Sequence, residues 1–394
     1  RAVWIAKDLK DDFIARLGKE DKDVSVLIEK SGEYLFSQDI KLKHPLFARE
    51  VPLVLGHHVT TESGTGCVHI APVHGEDDFL IGKEYDLPID LPVGNNGRFV
   101  DSLKEYAGLF VFDANEKIID DLNTSGVLLA HSEYEHSYPH CWRHKTPLIF
   151  RATPQWFISM NAKNLQKDSW EGIQSVKWIP SWGQKRIEAM MQDRPDWCIS
   201  RQRTWGVPLA IFIHKDTFEI HPNTVKIMHK VAELVKEGGI EAWFDAKPTD
   251  FLSEADAQDY EKCDDVLDVW FDSGVSHQAV ISVRSGMSYP ADLYLEGSDQ
   301  HRGWFQTSLL SGVAITGVPP FKQVLTHGFT VDAKGYKMSK SLGNVVAPED
   351  IMKTLGADIF RLWVANCDYQ NDLKFSDEAM KRVADMYRRL RNTS

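Results

Sequence analysis

Apolar positions change their rhythm along this chain. Up to about residue 140 they come in short β-rich runs between Gly, Pro and Asn turns, as in Val51-Pro52-Leu53-Val54-Leu55-Gly56 and Val93-Gly94-Asn95-Asn96-Gly97-Arg98-Phe99-Val100. Such punctuation predicts strands, so this part reads as a β-rich α+β unit, with Ala2-Val3-Trp4-Ile5-Ala6 as an opening strand. From about 145, strands are followed by amphipathic helices. Leu293-Tyr294-Leu295 leads through a Gly297 turn into a helix over 301–316, and Gln323-Val324-Leu325 leads to His327-Gly328. That order predicts a parallel α/β sheet with its ligands at the carboxyl ends of the strands. Within it, Ile227, Met228, Val231, Leu234 and Val235 share one face of a helix over 224–237 that stops at Gly238-Gly239 and fits a connective insertion. Pro348-Glu349-Asp350 opens a helix with acidic residues in its first turn, and the helical pattern continues to the end.

Composition narrows the class. A chain of 394 residues, 43% hydrophobic and 26% charged, suits a folded soluble protein of two or three domains. Lys+Arg 45 against Asp+Glu 57 gives −12, which argues against a dedicated nucleic-acid module. A large acidic enzyme can still keep a local basic track, and Lys381-Arg382, Arg388-Arg389 and Arg391 form one; a solvated helix face explains them equally well. The cysteines, Cys67, Cys141, Cys198, Cys263 and Cys367, are odd in number and free of any CxxC pair, so neither a disulfide framework nor a zinc ribbon is indicated. With no apolar run of membrane-spanning length, a cytoplasmic monomer with reduced thiols and no membrane contact is expected.

Two stretches carry the chemistry. Lys337-Met338-Ser339-Lys340-Ser341, followed by Leu342-Gly343-Asn344, is a donor-rich loop whose two lysines can follow negative charge as it moves along a polyphosphate. No GxxxxGK[ST] run occurs, which disfavours a P-loop NTPase. Glu296-Gly297-Ser298-Asp299-Gln300 sits where a strand gives way to a helix, so backbone N–H groups point at whatever binds there. Gly297 allows close approach, while Glu296, Asp299 and Gln300 offer acceptors for a ribose diol and an ammonium group. A plain turn whose carboxylates cap the helix is the simpler reading.

With Trp197-Cys198-Ile199-Ser200-Arg201-Gln202-Arg203-Thr204-Trp205-Gly206, Asp268-Val269-Trp270-Phe271-Asp272-Ser273-Gly274, the run Glu296 to Phe305, and His327-Gly328-Phe329 in that order, the chain resembles the class I aminoacyl-tRNA synthetases. Within them it is similar to the bacterial-type isoleucyl branch. The valyl and leucyl branches, or a non-catalytic tRNA-binding fragment, are the alternatives. The family's His-x-Gly-His motif does not occur, and the pattern reads as an internal piece of a longer polypeptide. The resemblance implies the second half of a Rossmann-type catalytic domain over 141–345 with a connective insertion at about 210–262. It also implies the C-terminal part of a β-rich editing domain over 1–140, and a stem-contact region and start of a helical bundle over 346–394. By the same resemblance, Glu296, Gly297, Asp299 and Gln300 hold an aminoacyl-adenylate, His327, Gly328 and Phe329 lie near the adenine, Ser339 belongs to the ATP-binding set, and Lys337 and Lys340 stabilise the phosphates as catalytic residues. ATP with Mg²⁺, isoleucine and its tRNA are the implied ligands. Trp270 and Trp304 are candidate walls of an amino-acid pocket, although most tryptophans fill cores.

A second site is implied over Thr60 to Phe79, which resembles the family's hydrolytic editing pocket. A pocket cannot strongly exclude a substrate one methylene smaller, so a second site hydrolyses mischarged Val-tRNA; this enzyme family is the standard illustration of that argument. By resemblance Asp78 grips the substrate ammonium and His69 lines the pocket, with Gly64 and Thr65 nearby. Read alone, His69, His74, Glu76, Asp77 and Asp78 suggest a metal cluster, but acidic residues at a helix start more often cap it. The run His136-Ser137-Tyr138-Pro139-His140-Cys141-Trp142-Arg143-His144 also tempts a zinc reading, yet no second ligand pair accompanies it. No metal site is expected in the chain.

Overall fold

Tyr294 and Val324, one in each strand that flanks the predicted helix, lie side by side in a sheet. The computed structural model describes residues 2–62, 64–141, 143–340 and 342–393, in two compact units, 1–154 and 155–394. Ser63, Trp142 and Ser341, each within a motif named above, lie outside the described residues, as do Arg1 and Ser394.

The second unit is built on α1 (Leu165–Ser175), β1 (Lys177–Ile179), α2 (Trp182–Gln192), β2 (Tyr294–Gly297), α3 (Trp304–Thr316) and β3 (Gln323–His327). The strands are parallel in the order β2-β3-β1, and the register sets Gly297 opposite His327. Parallel strands need cover on both faces. α3 contributes to that cover: Phe305 to Val313 are all buried, as in a helix enclosed on every side. Two of its polar members are satisfied internally, with Thr307 Oγ1 donating to the Gly303 carbonyl at 3.2 Å and Ser311 Oγ to that of Gly274 at 2.8 Å, while Ser308 Oγ is buried without a partner. Trp178, Ile187, Met191, Phe305, Leu309, Phe321 and Val324 form the core. Full burial of each such aliphatic or aromatic side chain contributes about 1.5–3 kcal/mol.

A smaller core lies between residues 210 and 262. Strands Phe212–His214 and Tyr260–Lys262 pair antiparallel, and helix Thr224–Gly238 packs Ile227 and Val231 against Phe212, Trp243 and Leu252. Gly239, at φ +76, ends that helix. At the C-terminal end, α4 (Pro348–Leu355), α5 (Ala357–Asn366) and α6 (Asp377–Thr393) gather Ile351, Trp363, Met380 and Val383. The helical run is broken by a strand at Leu373–Lys374, which pairs in parallel with Thr330–Val331.

The first unit departs from the β-rich expectation. Its named strands are Lys41–Lys43 and Glu50–Pro52, outweighed by helices Lys10–Arg16, Gly32–Ser37, Glu76–Glu84 and Ala114–Thr124. β-prone composition yields a strand only where a partner satisfies its backbone groups. Val93 to Val100 instead closes on itself, with Gly94 N–H donating to Arg98 O at 2.9 Å around Gly97 at φ +72. Ala2 to Ala6 is likewise no strand: Ala6 N–H donates to Thr65 O at 2.7 Å, while Val3 and Trp4 stay exposed.

Candidate functional site

Because Gly297 and His327 end neighbouring parallel strands, the segments that follow them share one edge of the sheet. The Glu296 carboxylate accepts the Gly297 N–H at 2.9 Å and lies 3.7 Å from His327 Nε2. His327 Nδ1–H donates to the Gly328 carbonyl at 2.8 Å, which fixes the tautomer and turns Nε2 toward Glu296. A Cβ on Gly297 would come within 2.9 Å of Asp299 Oδ1 and lie 3.7 and 3.8 Å from the His327 and Phe329 rings. Five predicted residues, Glu296, Gly297, Asp299, His327 and Phe329, therefore converge. Gln300 turns partly inward: its Oε1 accepts the Trp304 N–H at 3.0 Å and so caps α3.

The segment behind the site is held by hydrogen bonds to backbone and side chain. Gly328 N–H donates to Tyr369 O at 2.9 Å, Phe329 N–H to Asp372 Oδ1 at 2.8 Å, and Leu373 N–H to Phe329 O at 2.7 Å. A Cβ on Gly328 would press into the Asn371 carbonyl, so only glycine fits there.

The lysine loop is anchored to the same place. Lys337 Nζ lies 3.8 Å from the centre of the Phe329 ring, a cation–π contact. Asp332 accepts from Lys334 N–H at 2.9 Å, Tyr336 N–H at 3.0 Å and Asn344 Nδ2 at 3.0 Å. The Asn344 bond is the largest of the influences that hold the Asp332 carboxyl below the usual range. Asn344 Oδ1 in turn accepts Ser339 N–H at 2.9 Å, so Asp332 and Asn344 clamp both ends of the loop. Met338 packs into the helical cluster, whereas Lys340 is exposed at the turn, where its carbonyl accepts Gly343 N–H.

The two tryptophans differ. Trp270 is 42% exposed, on helix Val269–Gly274, and its ring lies against Gly303. Trp304 stacks on buried Tyr294 at 4.1 Å, and its indole N–H donates to Ser273 O and Ser276 Oγ, so much of it belongs to the core. The Trp270 helix is set by Asp268, 5% exposed, which caps it through Trp270 N–H at 3.3 Å and pairs with Arg201 at 3.0 Å. Burial, reinforced by Asp268, raises the Asp272 carboxyl. Sequence reading quotes Arg201 and Asp268 in their motifs but assigns them no role, since their pairing spans the insertion. His301 is fully buried; Nδ1–H donates to Ser298 O at 3.0 Å, Nε2 has no partner, and burial lowers its pKa.

In the first unit, Asp78 Oδ2 accepts Ala71 N–H at 3.1 Å and Oδ1 lies 3.9 Å from His58 Nε2, a buried atom with no hydrogen-bond partner. Thr65 and Gly64 lean the other way: the Thr65 carbonyl accepts Ala6 N–H, and Gly64 O accepts Arg16 Nη2. His69 is exposed and lies near His44, whose pKa is lowered by burial, then by Arg49 and His69. His74 Nδ1 donates to Phe150 O at 2.8 Å. No group of three or more metal-ligating side chains gathers among the described residues, though Cys141 Sγ and His144 Nδ1 lie 3.5 Å apart. N–H groups of His144 and Arg143 lower the Cys141 thiol pKa. In the tail, Arg382 and Arg388 pair with Glu378 and Asp385 on their own helix, as on a solvated face.

The family model described as tRNA synthetases class I (I, L, M and V) matches residues 8–376. Among curated proteins, an isoleucine-tRNA ligase of Idiomarina loihiensis is 59% identical over 91% of this chain and 38% of its own length. One of Francisella philomiragia is 54% identical over the whole chain and 41% of its own length. A solved methionyl-tRNA synthetase of Mycobacterium tuberculosis, bound by methionyl-adenylate, overlaps loosely at TM-score 0.40 and 19% identity, covering 62% of this chain and 40% of that one. The chain thus spans about two fifths of the length of these curated relatives. A match running almost from end to end, across both units, shows that this chain belongs to the class I tRNA synthetases.

Proposed function

We propose that this chain supplies the second half of the adenylate-forming site of an isoleucine-specific synthetase, together with part of a hydrolytic site for Val-tRNA. One observation carries the reading: Glu296, Gly297, Asp299, His327 and Phe329 converge at the carboxyl edge of parallel strands, and Lys337 of the lysine loop rests on the Phe329 ring. Identity of 54–59% to isoleucine-tRNA ligases supports isoleucine over valine or leucine. The reaction is attack of the amino-acid carboxylate on the α-phosphorus of ATP with loss of pyrophosphate, then acyl transfer to the terminal ribose of tRNA. No protein nucleophile is needed. Asp299 and Glu296 accept from ammonium and ribose hydroxyls, Gly297 and Gly328 keep side-chain bulk off the nucleotide, and Lys337 and Lys340 offset charge that grows on the phosphates. Mg²⁺ fits as a partner of the phosphates, because few carboxylates converge here and this ion keeps most of its waters.

Residues 1–140 then serve editing, 141–345 the catalytic fold with its insertion at 210–262, and 346–394 the tRNA stem, in a cytoplasmic enzyme. Ser339 contributes to the phosphate loop, Gln300 positions the turn, and Trp270 with Trp304 walls the aliphatic pocket. ATP–pyrophosphate exchange by a polypeptide of the relatives' full length carrying this segment tests the reading. Exchange is expected with isoleucine; greater exchange with valine or leucine overturns the specificity.

A further inference from the structure

Two arginines of the second unit line one cavity without an ion-pair partner among the described residues. Arg194 and Arg302 line one cavity of about 320 Å³ with Met190, Asp193 and Gln306. Arg194 Nη1 donates to Gln306 Oε1 at 2.6 Å, while its Nε is buried without a partner, and burial lowers its pKa. Gln306 is itself tied to Met190 O at 3.4 Å, so the guanidinium is held in place. Arg186, one helical turn before Met190 on α2, is close enough to add a charge effect to the burial that lowers the His301 pKa. Among the described residues none of the three is ion-paired. Glu188, the nearby acid on α2, is engaged by Gln174 and Gln184, and Asp193 leaves the rim net positive. A partly buried charge such as that of Arg194 is normally paired, and two arginines on one cavity of a chain of net charge −12 run against its overall field. The planar fork of arginine matches phosphate oxygens.

We infer that this cavity binds a phosphate oxyanion, either a backbone phosphodiester of RNA or free inorganic phosphate, beside the Ser298–Arg302 turn that carries Asp299 and Gln300. The inference stands on the guanidiniums and the cavity and does not require the activity proposed above. Its test uses the 394-residue chain and the variants Arg194→Gln, Arg302→Gln and Arg302→Lys, each checked by thermal melting. Inorganic phosphate is titrated calorimetrically at low ionic strength, and an unmodified tRNA transcript is bound over a salt series. If free phosphate is the ligand, its affinity falls at least tenfold in both glutamine variants and recovers in part with Arg302→Lys. If the source is RNA, phosphate is silent and the slope of log K against log salt drops by about one for each arginine removed. Absence of phosphate binding with unchanged salt slopes overturns the site. So does a fall in tRNA affinity with no change of slope, which marks a merely structural role. Should Arg194→Gln fail to fold, Arg302, at an exposed position, carries the test alone.

Discussion

Replacing Gly328 by alanine is the sharpest probe of how the His327–Phe329 end of the candidate site is held. The added Cβ would press into the Asn371 carbonyl and come within 2.6 Å of the Asp372 amide nitrogen, both of them backbone atoms that no rotamer change can move. The strand end and the 369–373 segment must separate, which threatens three bonds: Gly328 N–H to Tyr369 O, Phe329 N–H to Asp372 Oδ1, and Leu373 N–H to Phe329 O. Overpacking costs about 1–3 kcal/mol and each lost bond about 1 kcal/mol net, so loss of one or two bonds gives about 2–5 kcal/mol. For a unit the size of 155–394, this predicts a fall in Tm of roughly 5–15 °C. Phe329 shifts with the strand end, so Lys337 should leave its ring as well. Calorimetric melting of Gly328→Ala against Gly335→Ala is the assay. Gly335 sits at φ +88 with open space around it and should cost only about 1 kcal/mol of backbone strain. A Gly328→Ala variant that melts within about 2 °C of wild type would refute the packing described.

Lys340→Ala in a full-length polypeptide should slow adenylate formation a hundredfold or more, since one donor aimed at transition-state charge contributes about 2.7–4 kcal/mol; a change below about threefold in single-turnover rates counts against it. Asp268→Ala removes the cap of the Trp270 helix and strands Arg201, a loss of about 2–3 kcal/mol given that Arg201 is partly solvated, to be read from denaturant midpoints. Burial holds the pKa of His277 and His301 below 6.5, so both fold neutral. The unfolded chain takes up the extra protons, and stability, full above pH 6.5, should fall as pH drops from there toward the depressed values. A His277→Gln, His301→Gln double variant should flatten the Tm profile between pH 5 and 6.5; an unchanged slope contradicts this. The purified 394-residue chain, which holds no His-x-Gly-His, should show no isoleucine-dependent pyrophosphate exchange.

Local patterns proved readable where one element makes its own case. The 3.6-residue spacing of Ile227, Val231 and their neighbours predicts helix Thr224–Gly238, and the Tyr294–Gly297 strand passes through its glycine turn into α3 as the sequence suggests. What depends on partners far along the chain was not readable. Arg201 meets Asp268 across the insertion, Asp332 reaches Asn344 across the lysine loop, and Leu373–Lys374 interrupts the helical tail by pairing with Thr330–Val331. The same physics explains the first unit, where the β-prone run Val93 to Val100 turns back on itself and pairs only briefly with 108–111, through Phe99 N–H to Leu109 O and the isolated Arg98–Phe110 bridge. Within the site, residue types singled out Glu296, Asp299 and Lys337 as candidates, but only the fold reveals that Gln300 caps α3 and that Trp304 is largely core.

The proposed division of labour between the two units is tested most directly by isoleucine-dependent ATP–pyrophosphate exchange and Val-tRNA deacylation, both measured on Lys340→Ala and Asp78→Ala in a full-length polypeptide. Asp78 belongs to the first unit and Lys340 to the second, and residues that share no partners respond nearly independently. The account predicts that Lys340→Ala loses exchange and keeps deacylation, while Asp78→Ala keeps exchange and loses deacylation. Loss of exchange in Asp78→Ala with deacylation intact would contradict it.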